Sequence, residues 1–196
     1  MSADKGNDQS MLNYANMLRR GDGIKQNKKE AAHYYKMSAD KGNMISMFEY
    51  GTMLKEGEGI VIDKKEAAKY FKMSADKGYE DSIIYYSVML HDNIGIKGNL
   101  KDVVHYIKMA VDKGNSIGMF FYATMLDYGE GIEENKEEAA HYYKMAADDG
   151  ISRAMIGYAN LLELGLGVKE NKKEAAKYYK MAADKGNVTS LWIKNK

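Results

Sequence analysis

The sequence predicts an all-α fold: a right-handed α/α superhelix, or solenoid, of 36-residue helix hairpins. Three observations carry that expectation. One glycine recurs as Gly6, Gly42, Gly78, Gly114, Gly150 and Gly186, each 36 residues after the last, with no insertion or deletion between them. A second glycine pattern keeps the same interval: GDGI at Gly21, GEGI at Gly57, GEGI at Gly129 and GLGV at Gly165, with NIGI at Asn93 in the third copy. A longer phrase, KEAAHYYKMSADKGN from Lys29, returns from Lys65, Glu137 and Lys173, and more loosely from Lys101 as KDVVHYIKMAVDKGN. Self-similarity at such a period marks stacked supersecondary units that bury their faces on one another. The expected organisation is one array over 1–196, with full repeats at 7–42, 43–78, 79–114, 115–150 and 151–186 and partial repeats at 1–6 and 187–196.

The first helix of each repeat spans roughly Asn7 to Arg20 and its equivalents. A small residue (Ser10, Ser46, Ser82, Gly118, Ala154) is followed one turn later by Tyr14, Tyr50, Tyr86, Tyr122 or Tyr158. The next position is small again (Ala15, Gly51, Ser87, Ala123, Ala159), and Leu18, Leu54, Leu90, Leu126 or Leu162 completes a core stripe at helical spacing. Small residues admit a neighbouring helix and the Tyr fills the gap beside them. The double-glycine loop follows. Asn93 is the residue type that best replaces Gly in a left-handed turn, so the third copy keeps the geometry.

The second helix opens on a repeated start signal: Asn27 with Glu30, Asp63 with Glu66, Asn99 with Asp102, Asn135 with Glu138, Asn171 with Glu174. This is the arrangement of a capping box, in which the cap side chain accepts from an orphan backbone N–H and the acid reaches back to the cap's own N–H. Asp102, one methylene shorter, is expected to reach poorly. Ala31, Tyr34, Tyr35, Ser38 and Ala39 share one side of the first copy, and Lys29, His33, Lys36 and Asp40 the other. Gly42 supplies the left-handed stop.

These motifs, a small residue, Tyr or Leu, Gly or Ala and the GxG[V/I] loop, then EAAxYYKxAAxxG, resemble the Sel1-like repeat (SLR), a relative of the tetratricopeptide repeat. The likeness covers essentially the whole chain in five copies. Tyr14 and its equivalents stand where Leu is usual, Val103 and Val104 replace the Ala pair, and Asn93 replaces a Gly. The resemblance implies an α-solenoid acting as a protein-interaction scaffold or adaptor, with first helices lining a concave face and second helices a convex one. Relatives act in endoplasmic-reticulum quality control and in bacterial–host contacts, and no residue of this chain selects either.

Composition narrows the alternatives. The net charge is +1, and of 29 basic residues only Arg19, Arg20 and Arg153 are Arg, so a nucleic-acid surface is not expected. No stretch approaches the roughly 18 apolar residues of a membrane helix, and no signal peptide is visible in the sequence, so no membrane insertion is expected and a cytoplasmic location is. With no Cys, neither disulfides nor thiolate metal sites are available. His33, His105 and His141 share a repeat position that elsewhere holds Lys69 and Lys177, which marks a solvated face rather than a metal site. No nucleophile, base and orienting group fall together. The expected protein is not an enzyme and holds no cofactor; it is a monomer or weakly self-associating. The competing readings are a spacer within a larger repeat protein and, behind it, an enzyme.

Candidate partner-binding residues come from the positions the repeat does not fix. One stripe of the first helix reads Gln9, Asn13, Asn16, Arg20, then Ile45, Glu49, Thr52, Glu56, then Asp81, Tyr85, Val88, Asp92. The last two copies give Ile117, Phe121, Thr124, Tyr128 and Arg153, Gly157, Asn160, Leu164. Free variation beside a constant core points to a partner surface, centred on Tyr85, Val88, Ile117, Phe121, Thr124, Tyr128, Asn160 and Leu164. Tyr85, Phe121 and Tyr128 are expected as exposed aromatic anchors; the competing reading has these rings filling gaps between repeats. At the ends, MSADKGN matches the tail of a second helix, and after Asn187 a further first helix begins but carries Lys194 and Asn195 at fixed core positions. Neither end reads as a full cap, so the chain is expected to be part of a longer array, unless Trp192 and the IKNK tail form a minimal one.

Overall fold

The computed structural model of the chain describes residues 3–185, the side chains of residues 3–6 excepted. Among these residues are ten α-helices and no strand: α1 (Ala3–Arg20), α2 (Lys28–Asp40), α3 (Met44–Glu56), α4 (Lys64–Asp76), α5 (Glu80–His91), α6 (Leu100–Asp112), α7 (Ser116–Tyr128), α8 (Lys136–Asp148), α9 (Ser152–Leu164) and α10 (Lys172–Asp184). Odd-numbered helices are the first helices of their repeats and even-numbered helices the second. They divide into two compact units, Met1–Gly98 and Asn99–Lys196. Within the first, α1 to α5 pack in sequence, each on the next; within the second, α6 to α10 do the same. The division falls inside the third repeat, between its two helices.

Helix starts follow the capping signal, with one change of partner. Asn27 Oδ1 accepts from the Glu30 N–H at 3.1 Å, and the same cap recurs at Asp63, Asn99, Asn135 and Asn171. Where the cap is Asn, however, the acid accepts from its side-chain amide instead of its backbone: Asn27 Nδ2 donates to Glu30 at 2.8 Å and Asn171 Nδ2 to Glu174 at 2.8 Å, while Glu66 beside the Asp63 cap accepts from Lys69. The backbone N–H is already taken, because it donates across the hairpin to the last turn of the first helix: Asn27 to the Leu18 carbonyl, Asp63 to Leu54, Asn135 to Leu126 and Asn171 to Leu162. One cap thus starts the second helix and ties it to the first. Asp102, expected to reach poorly, accepts from Asn99 Nδ2 at 2.6 Å.

The turns obey backbone conformation. Gly57, Gly129 and Gly165 end their helices with φ of 74°, 67° and 66°, and Asn93, at the same repeat position, has φ 54°. Asn93 Oδ1 also accepts from the Gly98 N–H at 3.0 Å. The second loop glycine serves packing. A Cβ on Gly59 would lie 2.6 Å from the Lys28 backbone at the start of α2, one repeat back, and Gly167 is placed against Lys136 in the same way. At the N-terminal end the expected stop at Gly6 does not occur, since α1 runs through it. At Gly42 the turn closes onto the Ser38 and Ala39 carbonyls at the end of a full helix. Gly186, Trp192, Lys194, Asn195 and the IKNK tail lie outside the described residues.

The fixed columns form the core. Ala15, Ala31, Ala123, Ala139 and Ala159 are fully buried, with Leu18, Leu54, Leu90, Leu126 and Leu162 beside them. The first-helix Tyr column meets a second-helix ring edge-on: Tyr14 with Tyr34 and Tyr50 with Tyr70 at 4.8 Å, Tyr122 with Tyr142 and Tyr158 with Tyr178 at 5.0 Å. Such T-shaped pairs add to the area they bury, which accounts for Tyr in place of Leu. In the first unit the small column is hydroxylic: Ser46 donates to Ser38, and Ser82 to Ser74, at 2.6 and 2.7 Å.

Candidate functional site

The variable stripe lies on the first helices, and each unit presents its own part of it. In the first unit much of it is internally engaged. Tyr35, fully buried at its ring, rises from α2 and donates through its hydroxyl to Asn16 at 2.7 Å. Arg19 spans two repeats, donating to Glu49 at 2.5 Å and through two nitrogens to Glu58, which also holds Lys28 at 2.7 Å. Burial opposes the Arg19 charge, but these carboxylates outweigh it and raise its pKa; the Arg19 and Lys28 hydrogen bonds hold the Glu58 carboxyl below its ordinary value. Thr52 donates to its own helix at Phe48. Tyr85 and Val88 are half-buried. The Tyr85 ring packs 5.3 Å from Phe48 and 5.5 Å from Phe71, so it is not the free anchor expected from the sequence.

In the second unit the outcome differs residue by residue. Phe121 is buried, only 7% exposed, with its ring 5.2 Å from Phe120. The expectation of an exposed anchor at Phe121 is therefore corrected: the side chain turns into the packing of its own helix layer. Thr124 donates to the Phe120 carbonyl and accepts from the Tyr143 hydroxyl at 3.2 Å. Burial pushes the Tyr143 pKa upward, so its hydroxyl stays a proton donor across the physiological range. Asn160, though exposed, accepts from Tyr179 at 2.5 Å. Gly157 is small because the Tyr143 ring fills the space a Cβ would need, 2.8 Å away. By contrast Tyr128 is 72% and Leu164 66% exposed, at the same position of successive repeats. Ile117 is exposed at the other end of α7, and Leu166 in the loop after α9.

The stripe therefore contains two populations. Asn16, Thr124 and Asn160 each accept from the hydroxyl of a second-helix ring, Tyr35, Tyr143 and Tyr179 in turn. Phe71 has no hydroxyl to place, and Thr52 turns to its own backbone. The side chains of Tyr128 and Leu164 stay exposed, with the Lys136 ammonium 5.8 Å from the centre of the Tyr128 ring, and the first unit holds Arg20, Glu56 and Asp92 at their position. The sequence reading missed an exposed apolar pair off the stripe, Val61 and Ile62 in the loop before α4. The signal was present: the other copies read Lys25-Gln26, Lys97-Gly98, Glu133-Glu134 and Lys169-Glu170 there. The second-helix face is charged, with Lys36–Asp40, Lys72–Asp76 and Lys144–Asp148 pairs at 2.7 Å, and His33, His105 and His141 exposed beside them. Among the described residues no cluster of three or more His, Asp or Glu side chains is placed to hold a metal, and no helix is long and apolar enough to cross a membrane.

Comparison with known proteins matches this architecture. The Sel1 repeat family matches residues 8–43, 45–79, 116–151 and 152–187, passing over the third copy. A Sel1 repeat protein from Oxalobacter formigenes superposes with a TM-score of 0.86 at 22% identity, covering 95% of this chain and 74% of that one. A protective antigen of uropathogenic Escherichia coli with an SLR fold gives 0.87 at 23% identity, over 94% of this chain and 40% of the antigen. Helicobacter pylori cysteine-rich protein B gives 0.52 at 22% identity, over 62% of this chain and 90% of that protein. Comparison with the curated proteins gives no match. The repeats recognised by the family cover well over half of the sequence, and the chain belongs to the Sel1 repeat family.

Proposed function

We propose that the protein is an interaction scaffold that binds a protein or peptide on its first-helix face, with Tyr128 and Leu164 as apolar anchors in the second unit. The Sel1 repeat fold generally mediates protein–protein interaction and is typically non-catalytic. The observation that carries the finer reading is the exposure of these two side chains at equivalent positions of successive first helices. Equivalent positions on packed helices lie roughly 8–10 Å apart, close enough for one partner segment to cover both. Burying a Tyr ring and a Leu side chain removes large apolar surfaces from water, and hot spots of this kind dominate interfaces.

A passive spacer is the second reading. It is favoured by the burial of Phe121 and by the internal hydrogen bonds of Thr124 and Asn160. One experiment separates the two. Tyr128→Ala with Leu164→Ala removes mostly exposed atoms and the Lys136 contact with the Tyr128 ring, so stability should change by less than about 1 kcal/mol per site. The scaffold reading expects the folded variant to lose at least about 2 kcal/mol of affinity for the proteins wild type captures by crosslinking pull-down. Undiminished capture by the folded variant would leave the spacer reading in place.

A further inference from the structure

We infer that the first unit carries a subsite for a cationic side chain, an arginine or lysine of a basic peptide, formed by the Phe48, Tyr79 and Tyr85 rings with the Glu49, Glu56 and Asp81 carboxylates at their edge. It rests on the reading of the first-helix face as a contact surface and names the chemistry one part of it recognises.

The rings form a continuous cluster. Phe48 lies 5.4 Å from Tyr79 and 5.3 Å from Tyr85, over a floor made by the fully buried Phe71 at 5.7 Å from Phe48. Phe48, Tyr79 and Tyr85 are themselves half-buried and reach the surface. Tyr79 is a departure from the repeat, standing where Asn43 and Asn115 cap their helices, and α5 has no side-chain cap bond as a result. What the position gains is a third ring, whose hydroxyl lies against Asp81. The charges fit the rings. The Tyr85 hydroxyl is pushed up by burial first and then by the negative charges of Glu56, Asp81 and Glu49. Glu49 is answered by Arg19, whereas Glu56 and Asp81 are exposed.

A cation already uses this seat. The Lys55 ammonium stands 5.1 Å from the centre of the Tyr85 ring, with Glu56 at 3.5 Å. Aromatic faces attract cations through the ring quadrupole, and the attraction grows as water is excluded. Lys55 is a partly exposed side chain on a flexible stem, so a partner's guanidinium, planar and more weakly hydrated, can displace it and stack on the same ring. An acidic or purely apolar segment has no comparable complement among these groups.

The test is an NMR titration of the full chain, following the Tyr79 and Tyr85 ring signals. The probes are a blocked peptide Gly-Ser-Arg-Lys-Arg-Ser-Gly and counterparts with the three basic residues replaced by Glu or by Gln. The basic peptide should shift both rings, and its Kd should rise at least fivefold in Tyr85→Leu, which keeps apolar volume and removes the ring. Asp81→Asn with Glu56→Gln, both at exposed positions, should weaken it at least threefold in variants whose helical circular dichroism matches wild type. Lys55→Met, which removes the internal competitor, should tighten it at least threefold; a merely structural Lys55 predicts no gain. Equal ring shifts with the Glu or Gln peptide, or unchanged binding of the basic peptide in Lys55→Met and in Asp81→Asn/Glu56→Gln, would overturn the inference. If those results came with lost partner capture in Tyr128→Ala/Leu164→Ala, the cation subsite alone would fail and the scaffold reading would stand.

Discussion

The Ser82 hydroxyl donates to Ser74, and Ser74 in turn donates to the Met44 carbonyl, both at 2.7 Å in a fully buried setting. A donor left without a partner in such a place costs more than the bond is worth, while removing both groups is nearly neutral. Ser74→Ala should therefore lower stability by about 1–2 kcal/mol, and Ser74→Ala/Ser82→Ala by less than the single change, as read by thermal unfolding. The second unit has adopted the paired replacement, with Ala146 and Ala154 at those positions. The Arg19–Glu58–Lys28 network supplies a pH test. A carboxyl whose folded pKa lies below its unfolded value stabilises above the unfolded pKa, and that stability is lost as pH falls through the folded one. Glu58 is such a group. Glu58→Gln should cost about 1–2 kcal/mol at neutral pH, and the gap to wild type should close as pH falls below the ordinary carboxyl range near 4.5. A gap that persists in acid would show that Glu58 acts by packing. At this scale the core columns were legible in the sequence because packing holds them constant. Asn16, Thr124 and Asn160 were misread as free because their constraint is a hydroxyl on another helix, visible only when two columns are read together.

Helix by helix, the starts and stops were legible because they rest on local chemistry. The cap and its acid are three residues apart, and the left-handed turns require Gly or Asn wherever they occur. What was not legible is where each spare donor goes. The Asn27 N–H bonds to Leu18 across the hairpin, a contact set by the packing of two helices, and this diverts Glu30 to the side-chain amide. The loop glycines separate conformation from contact. Gly23 and Gly59 share positive φ of 73° and 76°, but a Cβ at Gly23 meets nothing within 4 Å while one at Gly59 meets the Lys28 backbone. Gly23→Ala should cost only the conformational penalty of roughly 1–2 kcal/mol. Gly59→Ala should cost a further ~1–3 kcal/mol of overpacking and should accelerate hydrogen exchange at the start of α2, one repeat away. Equal costs for the two variants would show that the stacking contact carries no energy.

For the molecule as a whole, the 36-residue period was enough to place the ten helices of the described residues, since no insertion disturbs it and each helix packs on its sequence neighbour within its unit. The period says nothing about where the chain divides. That division lies in the third copy, between α5 and α6, where GEGI has become NIGI and the family pattern is not recognised. Nor could the period tell which variable residues reach solvent: Phe121 and Tyr128 occupy the same helix and the same stripe, and only Tyr128 is exposed. The central claim is that partners meet the first-helix face. The most direct measurement places the photoreactive amino acid p-benzoylphenylalanine at Tyr128 or Leu164 on first helices, and at His141 or Lys177 on the exposed face of second helices, and compares crosslinks after irradiation in a lysate of the source cells. Crosslinks to a common partner from Tyr128 and Leu164, and none from His141 and Lys177, are the predicted result; crosslinks confined to His141 and Lys177, or equal from all four, would contradict it.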